Sequence, residues 1–404
     1  MSSPGFCPNC GSRLSSGICL RCTEQSSRIV HRDVLLLVLI SVLAAGVFVF
    51  TRAMAAKERQ LDSRVAAIWF GKGEAQVRSG NLEGAIDSFR KATNGDRDKR
   101  DYAIALANTL AAAGHSQEAR QALLRLRESA PENAEINLYL ARLAVKTGDV
   151  SEAVRYYHNA LYGLWTGTQS DQERRKVRVE LIRCLLDLHE RSGALSELLV
   201  LGSEIPEDDA EAQIEAGQLF LKAGDPQHAL RQFTRALNSN RSSTAALSGA
   251  GEAALQLGDF IQARRHLEAV LAVKSNAEPA LQLLRLTNMV LSNDPLAPYL
   301  AREERNRRLI VDFEQARTRV QSCLEQQSGK TNGTGGDLGA LNAEASAMQS
   351  KMQPKNLRRD PELLRSGMEL VLRIEEATKG SCGEPTDLDE ALLLIGRKHR
   401  GVLQ

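Results

Sequence analysis

The stretch KTGDVSEA, at residues 146–153, recurs four more times along the chain with the same glycine and alanine. The glycines stand at positions 80, 114 and 148, and again at 224 and 258, so that one period of thirty-four recurs. An alanine follows each glycine by five residues, in RSGNLEGA (78–85), AAGHSQEA (112–119), KAGDPQHA (222–229) and QLGDFIQA (256–263). Five matches in one register indicate a repeated structural unit.

Each unit predicts two helices that pack against each other. Glycine ends the first helix, because it takes the left-handed cap conformation without strain. The small alanine five residues later lets the second helix approach closely. Apolar residues then recur at helical spacing and are expected to fill the interface; nine residues after each glycine stand Phe89, Leu123, Tyr157, Phe233 and Leu267, and three further on Ala92, Leu126, Ala160, Ala236 and Val270.

Together with Trp69 in the first unit and Pro131 at the end of the second, this pattern closely resembles the tetratricopeptide repeat. The resemblance implies an all-α fold, an α-solenoid of stacked helix pairs, over residues 66–292. It places repeats at 66–99, 100–133, 134–167, 210–243 and 244–277. A capping helix is expected at 278–292, because the last repeat would otherwise expose its apolar end.

Residues 168–209 are expected to hold a degenerate unit. The interval from Gly148 to Gly224 equals two of these periods plus eight residues. The polar stretch 166–175 can absorb the eight residues as a longer loop or as an extended helix. Residues 177–189 have the pattern of an amphipathic helix, in which Cys184 is predicted to be an inert core residue.

Residues 293–404 predict a smaller helical region. Helices are expected at about 301–326, 338–352, 360–378 and 388–398, with a glycine-rich linker at 328–339. Within the linker, Gly329, Lys330 and Thr331 match the end of a nucleotide-binding P-loop. No strand precedes them, and the first glycine of that motif would fall at Leu324 inside a helix, so nucleotide binding is not expected.

Four of the seven cysteines lie before Thr23, as Cys7, Cys10, Cys19 and Cys22. The two C-x2-C pairs suit a tetrahedral structural zinc ion with every position filled. Residues 1–30 are too few to build a core, so the ion would supply the folding energy, about 10–16 kcal/mol in comparable peptides. The alternatives are two disulfides or a redox pair, which need an oxidising compartment or a βαβ context. The segment resembles the zinc-ribbon knuckles at the N-termini of many bacterial membrane proteins, which implies a structural module.

Residues 34–51 predict a single transmembrane helix. They carry no charge, and thirteen of the eighteen are Val, Leu, Ile or Phe. At 1.5 Å per residue they span about 27 Å, close to the ~30 Å of a bilayer core. A cleaved signal peptide is the competing interpretation, because the sequence AMA at 53–55 resembles a processing site. A signal peptide, however, is not normally preceded by a long segment with metal ligands.

The orientation of this span rests on conflicting signals. Arginines and lysines flank it almost equally on both sides, so the positive-inside rule does not decide. A zinc-loaded four-cysteine knuckle belongs in the reducing cytoplasm. The N-terminus is therefore predicted in the bacterial cytoplasm, and the large C-terminal part outside the inner membrane.

Two further cysteines, Cys323 and Cys382, fall near the ends of predicted helices. If those helices run antiparallel, their matching ends are apart; if they run parallel, with the 338–352 helix as the return, the thiols meet. A disulfide outside the cytoplasm would then close a loop of about 60 residues, worth roughly 2–4 kcal/mol. The alternative is two unrelated free thiols.

Composition and motifs exclude several function classes. Lys and Arg number 52 against 50 Asp and Glu, so no net basic field predicts a nucleic-acid partner. Aromatic residues are only 4%, which favours an Ala/Leu-rich helical protein over a β-sandwich or barrel. The seven histidines form no catalytic or metal motif, and neither an enzyme nor a small-molecule substrate is expected.

The sequence therefore predicts a membrane-anchored interaction scaffold that binds a protein or peptide in the groove of its repeats. The predicted groove residues are the ninth of each regular unit: Glu74, Asn108, Arg142, Gln218 and Glu252. Only Asn108 matches the pattern by which tetratricopeptide domains clamp a C-terminal carboxylate. The alternatives are that this groove is merely solvated surface, or that the chain is a transmembrane regulator whose zinc knuckle engages a cytoplasmic partner.

Overall fold

The computed structural model describes residues 5–8, 10–14, 18–165, 170–327, 335–380 and 382–403, with backbone only at 22–33, 327, 335–336 and 400–403. These residues form helices joined by short turns, and β-pairing among them is confined to isolated bridges. The predicted all-α fold of successive helix pairs is confirmed. The helices are α1 Leu20–Arg78, α2 Leu82–Gly95, α3 Arg100–Ala113, α4 Ser116–Ser129, α5 Ala134–Thr147, α6 Val150–Leu161, α7 Ser170–Asp187, α8 Arg191–Glu204, α9 Ala210–Lys222, α10 Pro226–Ser239, α11 Thr244–Gln256, α12 Phe260–Val273, α13 Glu278–Asn293, α14 Arg302–Gln327, α15 Gly335–Gln349, α16 Pro354–Arg359, α17 Glu362–Thr378 and α18 Asp387–Leu403.

The repeated glycine separates the two helices of each regular pair, as predicted. All five cap glycines have positive φ, from 76° at Gly258 to 95° at Gly114. In four of the five pairs the next residue caps the second helix, because its side chain accepts a hydrogen bond from the backbone N–H three residues later; these caps are Asn81, Asp149, Asp225 and Asp259. The turn therefore ends one helix and starts the next within two residues.

The interface within a pair depends on small residues that face large ones. The alanine five residues after each cap glycine is buried, and so is the aromatic residue or leucine nine residues after it. Phe233 is one of the latter, and Gly217, seven residues before the cap glycine, lies against its ring. A Cβ atom on Gly217 would lie 2.8 Å from that ring, so a larger residue would not fit without displacement.

The degenerate unit keeps this arrangement with a histidine in place of the cap glycine. His189 has φ of 60°, and the backbone N–H of Glu190 bonds to the carbonyl of Leu185 as in the glycine caps. Ala194 and Leu198, five and nine residues after His189, are fully buried. The eight extra residues are absorbed in part by α7, which begins at Ser170; residues 166–169 lie outside the described chain.

Replacing His189 by glycine should stabilise this unit by about 0.5–1 kcal/mol. A left-handed backbone costs a residue with a Cβ atom roughly 1–2 kcal/mol, and glycine avoids this cost. Glycine also raises the entropy of the unfolded chain, which offsets part of the gain in stability. Chemical denaturation of wild type and His189→Gly measures the difference. The matched control is Gly224→Ala, whose Cβ atom would make only an ordinary 3.9 Å contact with the Arg191 side chain, yet it should lose stability because φ is 77° there. A destabilised His189→Gly would show that the imidazole makes a contact that outweighs the strain.

The first helix is longer than the sequence predicted. A span at 34–51 and a separate first repeat helix from 66 were expected, but α1 runs unbroken over 59 residues. No proline or glycine lies between 52 and 66, so nothing there ends a helix. Its stretch from Val34 is long and apolar enough to cross a membrane and is not buried in the structure, which makes it a candidate for a span or a signal sequence.

The C-terminal region differs from its prediction in two respects. A short helix, α16, precedes α17, and α15 begins at Gly335, inside the predicted linker; residues 328–334, with the P-loop-like stretch, lie outside the described chain. The region also shares one apolar core with the last repeat, since Phe260 and Ala263 cluster with Phe313, Ile374 and Ile395. The apolar end of the repeats is thus covered by α13 together with the C-terminal helices α14 to α18.

The chain divides into two compact units, Met1–Trp165 and Thr166–Gln404. The first holds α1 and the pairs up to α6, and the second holds the degenerate unit, two regular pairs and the C-terminal helices. The sequence predicted one array over 66–292, whereas the boundary between the units falls at the start of the degenerate repeat.

Candidate functional site

In the first unit, the predicted groove residues lie on the first helices of their pairs, six residues before each cap glycine. Glu74 and Arg142 are exposed and Asn108 is half-buried. Tyr139, one turn before Arg142, connects two of them: its hydroxyl shares a hydrogen bond with the Asn108 side chain, and the Arg142 guanidinium lies 5.6 Å from its ring centre. Burial, with the Glu135 charge second, raises the pKa of the Tyr139 phenol, which therefore stays protonated as a donor at neutral pH. The nine-residue count did not include Tyr139, which contacts two of the predicted groove residues.

In the second unit, the degenerate repeat places Arg183 at the register position of the predicted groove residues. Arg183 stands six residues before His189, which is the place that Arg142 has before Gly148. Its guanidinium forms a 2.5 Å ion pair with Glu215 on the neighbouring first helix, α9. The signal that could have found it was the histidine cap, which restores the register after seven of the eight extra residues.

A cavity of about 320 Å³ opens between α7 and α9, beside that ion pair. Its apolar lining comes from Val179, Leu201, Ile205 and Ala212, and its charged lining includes Arg175, Lys176, Arg183, Glu180 and Glu215. Gln218, a predicted groove residue, is exposed three residues beyond Glu215 on the same helix. An apolar floor with charges of both signs around it suits an apolar side chain in a polar peptide.

Glu252 lies in a different setting from the other groove residues. It lines a cavity of about 520 Å³ together with Arg285 on α13 and with Asp387 and Glu390 at the start of α18. The C-terminal helix thus forms one wall of the groove at the last repeat. Carboxylates outnumber the one arginine in this cavity, so its field favours a basic ligand.

Two buried carboxyl groups lie behind this surface, on α14 and α17. Neither Asp312 nor Glu375 has a hydrogen-bond partner for its carboxylate oxygens among the described residues. Burial, with the charge of Asp294 second, raises the pKa of Asp312 to about 8, against the effect of Arg308. Burial, with the charge of Asp389 as the second cause, raises the pKa of Glu375 to about 8, against the effect of Arg319. The Arg319 guanidinium lies 2.7 Å from Asp389 and 3.6 Å from Glu375.

The stability of the second unit should therefore fall as the pH rises from about 4 to about 8. The folded state keeps Asp312 and Glu375 protonated, whereas the unfolded chain releases both protons near pH 4, so the penalty grows until the folded pKa is passed. Asp312→Asn should remove part of this slope and gain up to a few kcal/mol at pH 8. Denaturation at pH 5, 6, 7 and 8 measures it. Asp389→Asn is the control and should instead lose stability, since it breaks the ion pair with Arg319; equal slopes in wild type and Asp312→Asn would contradict the assignment.

At the N-terminus, three of the four predicted metal ligands come together. The sulfur atoms of Cys7, Cys10 and Cys19 lie within 4.8 Å of one another. Phe6 pairs with Arg13 across a turn that contains Gly11, whose φ is 72°. Zn–S bonds of about 2.3 Å in a tetrahedron place sulfurs about 3.7 Å apart, so the three thiols fit one ion. Cys22 lies in the first turn of α1, and its side chain is outside the described residues.

The structure also brings Cys323 and Cys382 together. Their Cα atoms are 5.1 Å apart and their sulfurs lie within bonding distance. Helices α14 and α17 pack with the parallel arrangement that the sequence analysis required for this pair, since Leu309 lies against Gly367 near their starts and Arg319 lies beside Glu375 further along.

The seventh cysteine, Cys184, is half-buried on α7. Burial raises the pKa of its thiol, with the charge of Asp187 as the second cause. A raised thiol pKa lowers the fraction of reactive thiolate, as expected for an inert residue.

Comparison with known proteins identifies the repeats. The family model described as "Tetratricopeptide repeat" matches residues 50–101, 104–167 and 214–279, which together are less than half of the chain. No curated protein was found to match the chain.

Solved structures of repeat proteins are similar to it at low identity. YrrB, described as a TPR protein with an unusual peptide-binding site, is 20% identical with a TM-score of 0.40, covering 50% of this chain and 99% of that one. PilF of Pseudomonas aeruginosa is 15% identical (TM-score 0.40, 55% and 98% covered). PilW, described as a widely conserved type IV pilus biogenesis factor, is 17% identical (TM-score 0.39, 55% and 98% covered).

Proposed function

We propose that this chain, which carries tetratricopeptide repeats, is a membrane-anchored scaffold that binds a protein or peptide segment along the first helices of its repeats. The observation that carries the proposal is the cavity between α7 and α9, where an apolar floor is bordered by Arg183 and Glu215. In the first unit, Tyr139 with Asn108 and Arg142 offers a second polar contact surface. A bound segment would insert an apolar side chain in the cavity and exchange the Arg183–Glu215 pair for its own charges.

The anchor in this proposal is the apolar part of α1, residues 34–51. Its large apolar side chains are exposed in the structure, so burial in protein does not explain their composition. The N-terminal knuckle would hold zinc through Cys7, Cys10, Cys19 and Cys22 in the cytoplasm, as a structural ion with no open position for catalysis. The repeats would then lie outside the inner membrane, where a Cys323–Cys382 disulfide is stable.

The groove is tested with a photo-crosslinking amino acid placed at single positions of the full-length chain in its membrane. Position 183 lines the cavity, and position 218 is exposed on α9 three residues beyond Glu215. Position 264, which is exposed on the second helix α12, is the matched control. Crosslinks from 183 and 218 to one common protein, absent at 264, support the proposal, and Arg183→Ala should weaken the crosslink from 218. Equal crosslinking at all three positions would place the binding face elsewhere.

The sidedness is tested by fusing alkaline phosphatase after residue 404, since that reporter is active only where disulfides form. An active fusion, together with Cys323 and Cys382 protected from alkylation until reduction, supports the extracytoplasmic arrangement. An inactive fusion with both thiols freely alkylated would place the repeats in the cytoplasm.

The second candidate function is transmembrane regulation through the zinc knuckle. The continuous helix α1 favours it, because a rigid helix from Leu20 to Arg78 joins the knuckle directly to the first repeat. Deleting residues 1–30 separates the two functions. A scaffold keeps both its crosslinked partner and its phenotype after the deletion, whereas a regulator loses its phenotype while still binding the partner.

A further inference from the structure

The part of α1 that follows the proposed span carries an exposed apolar stripe. Met54, Leu61, Val65 and Ile68 are 63%, 53%, 53% and 71% exposed. Their spacing of seven, four and three residues keeps all four on one side of the helix, which is the spacing of a helix that pairs with another helix.

A different side of the same helix packs on the first repeat. Ala66 is buried there, with Phe70 and Trp69 beside it, in a cluster with Ala92 and Tyr102. At 100° per residue, the centre of the stripe lies roughly 130° from Ala66 around the axis. Packing on the repeat therefore leaves the stripe accessible to a second helix.

Charged residues of opposite sign border the stripe on its two sides. The stripe fits a heptad in which Leu61 and Ile68 are at d positions and Val65 is at an a position. In that heptad Lys57 and Arg64 occupy g positions, on one side of the stripe. Asp62 occupies an e position, on the other side. In a parallel pair of helices, g of one chain faces e of the next heptad in the other, which sets Lys57 against Asp62. Glu58 falls at an a position, where Lys57 of the other copy flanks it.

We propose that two copies of this chain associate in parallel through the stripe Met54–Leu61–Val65–Ile68. The two sides of the stripe are complementary in charge through the Lys57–Asp62 pairing, as a two-fold symmetric contact requires, and Lys57 of the other copy offsets the like charge of the two Glu58 side chains. Its parallel alignment rests on the proposed span, because two copies inserted in one membrane in the same orientation present this segment side by side. The stripe is only about 21 Å long, so on its own it would be marginal; confinement in the membrane raises the effective concentration of the second copy.

A lipid surface fits this segment less well than a second copy. Five charged residues lie along the chain between the apolar residues of the stripe: Lys57, Glu58, Arg59, Asp62 and Arg64. Because charged side chains are costly in hydrocarbon, this segment does not enter the hydrocarbon layer of the membrane. Asp62 stands on one of its sides and the bases Lys57 and Arg64 on the other, so an anionic membrane surface would repel the acidic side.

Cysteine crosslinking of the full-length chain in its membrane tests the contact directly. Leu61→Cys at the d position should give an oxidant-induced dimer, since parallel d positions face each other. Gln60→Cys, one residue away and outside the stripe, should give no more dimer than the wild-type chain with its native cysteines. Equal dimer yields for the two variants, or none for either, would overturn the proposal.

Charge reversal tests the pairing rule without touching the apolar residues. The double variant Lys57→Glu/Arg64→Glu makes both sides of the stripe acidic. The double variant Glu58→Lys/Asp62→Lys makes both sides basic. Each variant alone should co-purify with a differently tagged copy of itself at least fivefold less than the wild-type chain does. Co-expression of the two variants should restore co-purification. All four positions are exposed, so repeat folding, checked by circular dichroism, should not change. Failure of the mixture to recover would overturn the parallel contact, whereas loss of membrane fractionation would count separately against the span.

Discussion

Replacing Cys10 and Cys19 by serine should remove the one zinc ion from the chain and unfold residues 5–19. The segment has no apolar core of its own among its described residues: Cys7 and Cys19 are buried there, and Phe6 and Ile18 are exposed. The metal is therefore expected to supply nearly all of its folding free energy, about 10–16 kcal/mol in comparable zinc peptides. This is the largest effect that a change of one or two side chains should have on any part of the chain.

Metal analysis of the purified full-length chain measures this result, with hydrogen exchange of residues 5–19 as the structural readout. Wild type should hold one zinc per chain with slowly exchanging amides such as Cys7 N–H, which bonds to the Ser12 carbonyl. Cys184→Ser is the matched control, because that thiol lies on α7 far along the chain and should leave the zinc in place. Wild-type protein with substoichiometric zinc, or with the four N-terminal thiols paired as disulfides, would refute the metal site.

The sequence predicted the helix pairs because their signals are local. A cap glycine, the alanine five residues later and the large residue nine residues later lie in one short stretch, and each has one structural reason to be there. Gly148, Ala153 and Tyr157 could be placed without any knowledge of the neighbouring repeats. Their observed φ and burial follow directly.

What the sequence did not predict depends on contacts between elements. His189 has a left-handed backbone conformation, which is unfavourable for a residue other than glycine. The packing of the flanking helices α7 and α8 holds it in that conformation. Arg183 could be assigned to the register of the predicted groove residues only after the cap at His189 had been located. No motif in the sequence singles out Asp312, because its burial results from the packing of the C-terminal helices over the last repeat.

The length of α1 was missed for another reason. Sequence analysis divides a helix where composition changes, from apolar at 34–51 to charged after Arg52. A change of composition does not end a helix, however; a breaker or a cap does, and the helix continues to the turn at Gly80. The stripe at Met54–Ile68 could be recognised only on a helix that continues through that change.

The second large effect is expected in the core of the second unit, where Phe233→Ala should cost about 3–5 kcal/mol. The ring is fully buried, and glycines from two different first helices, Gly217 on α9 and Gly249 on α11, contact its edge. Removing the ring leaves a cavity that these glycines cannot fill, because they have no side chains. Denaturation of a fragment that begins near residue 60, and so omits the proposed span, measures the change. The control Ile261→Ala, at an exposed position on α12, should change stability by less than about 0.5 kcal/mol.

The same contact predicts a coupling that separates packing from helix propensity. Gly249→Ala alone should destabilise by about 1–3 kcal/mol, although alanine is the better helix former, because a Cβ atom there overlaps the Phe233 ring. In a Phe233→Leu background the alanine gains room, so its cost should shrink or change sign, with a coupling of roughly 0.5–3 kcal/mol. Additive effects of the two substitutions would mean that the ring is not held against Gly249 in solution. A measurable coupling would instead show that the Phe233 ring packs against both α9 and α11 and so joins neighbouring repeats. Gly217 and Gly249 leave room for that ring because they have no side chains.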